Sequence, residues 1–235
     1  MKKSFLLLLI VASVFSCKKK DDAPELPYKC TACVTQPQAL VAHDASSKGI
    51  YKGVVIGSSG TILFNISNAS NAISAVMVLN AITVNLTSTV TWVAGQPFVA
   101  PFTGTLSGSA VSITFSVGAS GGNPTVTMSS IPGHPNSTFT ILKETSTSLI
   151  EAFEGTYVTT QPESGTFNLI LSRSARLHSG ASRKDGSTTS SSFSGTINAN
   201  NQLMDAINTT RVLATLSGDI LEGGPTITIK SKRTL

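Results

Sequence analysis

Charged and aromatic residues are scarce in this sequence. Asp, Glu, Lys and Arg make up 12% of the 235 residues, and Phe, Trp and Tyr make up 6%. A nucleic-acid-binding surface needs a dense basic patch, and no patch of this kind with interleaved aromatic residues is present. We therefore expect no nucleic-acid partner. Low charge combined with abundant Ser, Thr and Gly is typical of an exported β protein, and less so of a cytosolic helical one.

Long apolar runs are also rare, and the one that stands out is Phe5 to Phe15. It is shorter than the ~20 apolar residues that a helix needs to cross a bilayer. Lys2 and Lys3 precede it, which gives the segment the charge and length of a secretory signal. The sequence predicts a signal peptide at residues 1–16.

The first of only three cysteines follows this apolar run directly. The stretch Val14 to Cys17 (VFSC) resembles the lipobox of bacterial lipoproteins, in which the signal is cut before the cysteine and the cysteine is acylated. The resemblance implies that Cys17 carries fatty acyl chains such as palmitate and anchors the protein to a membrane. Several acyl chains on one residue hold a protein stably, whereas a single chain binds only marginally.

The charged stretch Lys18 to Asp22 (KKKDD) follows the cysteine. It resembles the signal with which some Gram-negative bacteria send lipoproteins to the outer face of the outer membrane. The resemblance implies an outer-membrane lipoprotein exposed on the cell surface, with attachment facing the periplasm as the alternative. We interpret residues 17–48 as a lipid-anchored tether that contains a CxxC motif.

The CxxC motif consists of Cys30 and Cys33. In an exported protein such a pair is expected to form a local disulfide. Redox catalysis would place the motif at the start of a helix in a βαβ unit, which the flanking residues do not indicate. A zinc site would need two more ligands, and the available donors are scattered. These donors are His43, Asp44, His134 and His178. We expect a disulfide, no metal and no other cofactor.

From residue 49 onward, short runs rich in Val, Ile, Thr and Phe alternate with Gly, Ser, Asn and Pro. Such runs are typical of β-strands joined by tight turns. Apolar and polar residues alternate clearly from Ile82, so we expect one strand across Ile82–Trp92. We also expect a single strand across Val212–Ile220, and no strand at residues 174–190.

The sequence predicts an all-β domain at residues 49–235. We expect an antiparallel meander of repeated hairpins that forms a barrel-like or sandwich domain, because either arrangement protects the edge strands. The domain is either continuous or built of two halves, 49–147 and 148–235. An outer-membrane barrel is a competing interpretation, but its strands would be longer and it would need aromatic girdles.

A short motif, aromatic-x-Gly-[Val/Thr], recurs in this domain. It begins at Tyr51, Phe102, Phe153 and Phe193, and the first three are 51 residues apart. The segments that begin at Tyr51 and Phe102 also align without a gap. We interpret the motif as a repeated hairpin in which the aromatic ring enters the core. The glycine then permits a bend, a bulge or close packing of an aromatic ring.

Three residues are candidates for ligand binding. Trp92, the only tryptophan, is a candidate platform for a sugar ring, although such a residue is more often a core or rim aromatic. His134 and Asn136 lie in the Pro- and Gly-rich loop Ile131 to Asn136. Exposed loops on a rigid scaffold are where binding residues concentrate.

No catalytic constellation is visible in the sequence. There is no GxSxG motif, and Glu151 and Glu154 would point to opposite faces of a strand, which excludes a ready acid–base pair. We therefore interpret the protein as a binding or structural module for a polysaccharide, a protein or another envelope component. Two alternatives remain open. One is a hydrolase whose site forms only in three dimensions, and the other is a barrel that holds a small apolar ligand.

Overall fold

The structure is a computed structural model that describes residues 27–161, 163–223 and 227–235. The predicted signal peptide, Cys17 and residues 18–26 of the predicted tether lie outside the described residues. Within the described ranges, no helix is long and apolar enough to span a membrane.

Sixteen strands lie within the described residues, and all of their pairings are antiparallel. The first eight are β1 Gly49–Ile56, β2 Gly60–Ile66, β3 Ile73–Leu79, β4 Ile82–Thr87, β5 Phe98–Leu106, β6 Ser109–Val117, β7 Thr125–Ser130 and β8 Thr138–Lys143. The last eight are β9 Glu151–Thr159, β10 Ser164–Ser172, β11 Leu177–Lys184, β12 Ser191–Ile197, β13 Gln202–Asp205, β14 Val212–Ser217, β15 Ile220–Gly223 and β16 Ile227–Arg233. A short 3-10 helix spans Val41–His43. The predicted all-β meander of antiparallel hairpins is confirmed.

Strands β1 to β8 form one barrel-like sheet, which we call the first sheet. Its strand order is β7-β6-β5-β4-β3-β2-β1-β8, so the chain returns at β8 to pair with β1. Aromatic rings fill its interior in stacked and edge-to-face contacts. These rings belong to Tyr51, Phe64, Phe102 and Phe115, and all four are fully buried. The interior of the first sheet is therefore a packed core.

Strands β9 to β16 form a closed barrel, because β16 pairs with β9. Alternate residues of each strand point inward. On β9 these include Phe153 and Tyr157, and on β10 they include Phe167, Leu169 and Leu171, all of which belong to one apolar core. Closure leaves this barrel without an exposed edge strand.

The outer face of the barrel packs against β1 of the first sheet. Six apolar side chains form a separate core at this contact: Val54, Ile56, Ile150, Ala152, Ile170 and Ala181. Asn168 of β10 donates hydrogen bonds to the carbonyl oxygens of Val55 and Ser58, at 2.8 and 3.1 Å. The two units are thus joined by both apolar and polar contacts.

A buried ion pair lies at the same junction. Lys52 Nζ is 2.5 Å from Glu144 Oε2, and neither side chain is exposed. Glu144 also accepts hydrogen bonds from the backbone N–H groups of Gln38 and Ile150, at 2.7 and 3.1 Å. One carboxylate therefore connects the N-terminal segment, the first sheet and the start of the barrel.

The strand predicted at Ile82–Trp92 is shorter than expected. Strand β4 ends at Thr87, and the chain then covers the end of the first sheet. Val90 and Trp92 pack on the core there, and the Trp92 Nε1–H donates to Ser47 Oγ at 2.8 Å. Val90 and Trp92 continue the alternating apolar pattern past Thr87 because they are half-buried against the core, although they do not belong to a strand.

Two differences concern the barrel. Strand β11 was not predicted, because LHSGASRK is poor in β-branched and aromatic residues. It is a strand because it pairs on both sides, with β10 and with β12. The predicted strand Val212–Ile220 is two strands, β14 and β15, joined by a tight turn in which Gly218 has a φ of +59°.

The recurring motif has a common geometry in all four occurrences. A Cβ atom on Gly53, Gly104, Gly155 or Gly195 would collide with a carbonyl oxygen of the neighbouring strand. The glycine is thus required by the close approach of that strand. The first three glycines lie on β1, β5 and β9, which are spaced by four strands. Gly195 lies on β12, only three strands after β9, so it is not an equivalent position in the meander.

Candidate functional site

The two ends of the closed barrel differ in chemistry. At the end where β9 begins, which we call the floor, four charged side chains form an ion-pair network. At the opposite end, which we call the mouth, the barrel opens onto a cavity of about 350 Å³.

At the floor, Glu151 is almost fully buried and binds two arginines. Arg173 Nε lies 2.7 Å from Glu151 Oε2, and Arg233 Nη1 lies 3.0 Å from Glu151 Oε1. Arg233 Nη1 is also 3.6 Å from Asp219 Oδ1. Each charge thus has an opposite charge beside it, and the network fills the end of the barrel.

The N-terminal segment lies against this floor. Cys30 and Cys33 are joined by a disulfide, with their Cα atoms 5.4 Å apart. The Cys30 N–H donates to Asp219 Oδ2 at 2.9 Å, and Arg233 Nη2 donates to the carbonyl oxygen of Val34. The Tyr28 hydroxyl donates to the carbonyl oxygen of Arg233 at 2.9 Å. A groove of about 790 Å³ lies between this segment and the floor, but its charged groups are engaged with one another.

Six apolar side chains line the mouth: Tyr157, Phe167, Phe193, Leu213, Ile227 and Ile229. Its polar lining residues are Thr159, Glu163, Ser182, Ser191, Ser192, Asp205 and Arg211. We call this set the mouth site. An apolar pocket with a few polar groups, at the end of a β-barrel, is a common form of small-ligand site.

A stacked pair of phenylalanines lies in the mouth site. The rings of Phe167 and Phe193 are 4.7 Å apart and inclined by only 10°. They come from β10 and β12, which are separated by β11. Phe167 pairs with Ser182 of β11, and Phe193 pairs with Gly180. Because these inward positions of β11 are small, the two rings meet across that strand.

One carboxylate at the rim of the mouth site is Glu163. The Tyr157 hydroxyl donates to Glu163 Oε1 at 2.9 Å, and Lys184 Nζ lies 3.2 Å from Glu163 Oε2. Burial and the adjacent carboxylate raise the pKa of Tyr157 to about 12. The hydroxyl therefore stays protonated at neutral pH and donates to Glu163.

The other rim carboxylate is Asp205. Its Oδ1 accepts from the backbone N–H groups of Ile207 and Asn208, at 2.8 and 3.2 Å, and these bonds lower the pKa of Asp205. Arg211 lies 3.9 Å from its Oδ2. Both rim carboxylates thus have a cationic partner, which disfavours an ionic ligand and favours an uncharged one.

The candidate binding residues from the sequence lie elsewhere. Trp92 is half-buried at the end of the first sheet, where the Lys48 ammonium lies 4.4 Å from its ring centroid. His134 and Asn136 lie together beside a cavity of about 280 Å³ near Arg183. Arg183 Nη2 donates a hydrogen bond to the backbone carbonyl oxygen of Asn136, at 2.5 Å. The structure brings His134 and Asn136 together, but Trp92 lines a different cavity.

Comparison of the chain with known protein families, with curated proteins and with solved structures found no match. Among the described residues, no group of three or more His, Cys, Asp or Glu side chains could hold a metal ion.

Sequence reasoning missed the mouth site because β11 was not predicted. Without that strand, nothing indicates that Phe167 and Phe193 are neighbours.

Proposed function

We propose that this protein is a lipid-anchored envelope protein whose closed barrel binds a small ligand at the mouth site. The observation that carries this proposal is that the two ends of the barrel have different surroundings. The N-terminal segment attaches at the charged floor, and the aromatic cavity opens at the other end.

The proposed anchor sets the orientation of the barrel. If Cys17 carries the lipid, residues 17–26 reach at most roughly 35 Å, at about 3.5 Å per residue. The floor then faces the membrane, and the mouth site opens away from it. The cell surface is the proposed location, and attachment facing the periplasm would give the same orientation relative to the membrane.

The lining of the mouth site supports an uncharged ligand with an apolar ring. Six apolar residues, including the Phe167–Phe193 stack, line the cavity, and the rim carboxylates already have partners. A ring inserted beside Phe193 would bury apolar surface, which is favourable by about 25 cal/mol per Å². Of the functions compatible with the fold, this favours binding of a small apolar ligand over hydrolysis.

Binding can be tested with N-phenyl-1-naphthylamine, a neutral aromatic fluorophore, and a Cys17→Ser form of the mature chain. We expect saturable fluorescence enhancement, reduced about tenfold or more in Phe193→Ala. Ser191 is an exposed rim residue that pairs with the inward-facing Ser182, so Ser191→Trp should block the cavity without altering the core. Met128→Ala, an exposed change on β7, is the matched control and should bind like the parent. Equal binding by all four proteins would refute the assignment.

The anchor is tested separately in cells. We expect Cys17→Ser to abolish labelling by radioactive palmitate, because the acylated atom is the cysteine sulfur or the amine exposed by cleavage before it. Added protease should digest the anchored protein on intact cells. Digestion only after outer-membrane permeabilisation would place it on the periplasmic face, and labelling of the serine variant would exclude the lipobox interpretation.

A further inference from the structure

A second cavity, of about 610 Å³, lies on the outer face of the barrel, beside the turn between β1 and β2. We call it the seam pocket. Its lining includes Tyr28, Glu154, Thr166, Lys232 and Thr234. It shares no residue with the mouth site.

Unpaired polar atoms concentrate in the seam pocket. Within the described residues, six buried side-chain oxygen or nitrogen atoms have no hydrogen-bond partner. Three of the six belong to outer-face residues that line this cavity: Glu154 Oε1, Thr166 Oγ1 and Thr234 Oγ1. Ser231 also lines the cavity, but it pairs with Gly155 and its side chain faces the barrel interior. Because an unpaired buried polar atom is costly, three at one place indicate a site built to make bonds to something else.

The charges around the seam pocket are balanced. Glu154 lies opposite Lys232 in the β9–β16 pair, and Glu222 lies opposite Lys230 in the β15–β16 pair. Burial raises the pKa of Glu154, while the positive charge of Lys232 acts in the opposite direction. Because each of these two carboxylates has a lysine opposite it, the seam pocket presents no net charge to a ligand.

The available groups correspond to those of a polyhydroxylated molecule. A ligand hydroxyl can donate to Glu154 Oε1, and each threonine or serine hydroxyl can both donate and accept. Tyr28 supplies an aromatic ring at the edge of the pocket, with Lys232 Nζ 5.3 Å from its centroid. Such a ring can pack on the apolar face of a sugar.

We propose that the seam pocket is a binding site for a neutral saccharide. Glu154 accepts from a sugar hydroxyl, Thr166 and Thr234 exchange hydrogen bonds with neighbouring hydroxyls, and the Tyr28 ring covers one face of the sugar. This site goes beyond the proposed mouth site, because it has its own lining residues and takes a different class of ligand.

The test uses the Cys17→Ser mature chain on an array of neutral and acidic oligosaccharides, with affinities of the hits measured by titration calorimetry. We expect neutral glycans to bind, and Glu154→Gln and Thr166→Val each to weaken binding about tenfold or more. Thr105→Val, an exposed change on β5, should remain within about twofold of the parent. Ser191→Trp should bind the same glycans, which separates this site from the mouth site.

A second readout separates binding from folding. Glu154→Gln should weaken glycan binding while leaving the protein at least as stable at pH 7, so loss of affinity cannot be caused by unfolding. A saturating neutral glycan should also shift the carboxyl carbon resonance of Glu154. The proposal is overturned if no neutral glycan binds, or if both seam variants bind like the parent. Loss of glycan binding in Ser191→Trp alone would also overturn it.

Discussion

At the scale of single residues, Glu154 shows how tertiary contacts change the chemistry of a side chain. Glu151 and Glu154 are three positions apart on β9 and point to opposite faces, as the strand period requires. Glu151 binds two arginines at the floor of the barrel, whereas Glu154 lies on the outer face with an unpaired oxygen. The sequence predicts their opposite directions, but it does not predict which carboxylate has ionic partners.

Glu154 should make stability depend on pH. Burial raises its pKa in the folded state above the ordinary value of 4.5, so the ionised form is disfavoured in the folded protein. Ionisation of Glu154 therefore lowers the free energy of unfolding as pH rises above about 4.5, and this effect is absent at lower pH. We expect Glu154→Gln to increase the free energy of unfolding by about 1 kcal/mol at pH 7. Urea denaturation at pH 7 and pH 4 measures this.

The control for that experiment is Glu163→Gln. Bonds from Tyr157 and Lys184 lower the pKa of Glu163, so its ionised form is favoured in the folded state. This variant should gain no stability at pH 7. A gain in Glu154→Gln that persists unchanged at pH 4 would mean that ionisation of Glu154 is not the cause.

At the scale of secondary-structure elements, the alternation of apolar and polar residues predicts a strand well where local sequence and strand pairing both favour that strand. Strands β4 and β14 begin at the predicted residues, Ile82 and Val212, although both end earlier than predicted. Strand β11 has a weak sequence signal, because its inward residues are His178, Gly180 and Ser182. These small or polar residues are tolerated because large side chains from β10 and β12 fill the space beside them. Pairing with both neighbours thus overrides local propensity.

Gly180 is the residue of β11 on which the mouth site most depends. An added Cβ would lie 2.5 Å from both the carbonyl oxygen of Asn168 and the Cβ of Leu169. We expect Gly180→Val to lower the free energy of unfolding by about 1–3 kcal/mol through overpacking, despite the β propensity of valine. Because Gly180 pairs with Phe193, the variant should also weaken fluorophore binding. Ser179→Val is the adjacent control, and comparable destabilisation by both variants would contradict this explanation.

At the scale of the whole molecule, a buried charged pair lies where the first sheet and the barrel meet. Lys52 and Glu144 are both fully buried, and Glu144 also holds two backbone N–H groups. Such a pair is not strong evidence of net stability, but removing one partner leaves the other charge buried alone. The contact between the two units therefore depends on both partners.

Lys52→Met tests this junction. We expect the free energy of unfolding to fall by about 3–5 kcal/mol, because Glu144 would lose its only cationic partner among the described residues. Urea denaturation measures the loss, followed by circular dichroism and by fluorescence of Trp92, which packs on the core of the first sheet. Lys29→Met, an exposed change, should stay within about 0.5 kcal/mol of the parent. A loss no larger than that of Lys29→Met would show that the pair is not needed at the junction.

The sequence by itself determined the all-β class, the antiparallel meander and many strand positions, because alternation and turn residues are local properties of the chain. It also carried the signal and lipobox resemblances at residues 1–22, which remain predictions. Only the tertiary structure decided that β9 to β16 close into a barrel and that Phe167 meets Phe193 across β11. It also decided that unpaired polar atoms gather at Glu154. These features depend on strand register and on contacts between residues distant in sequence, which no local pattern specifies.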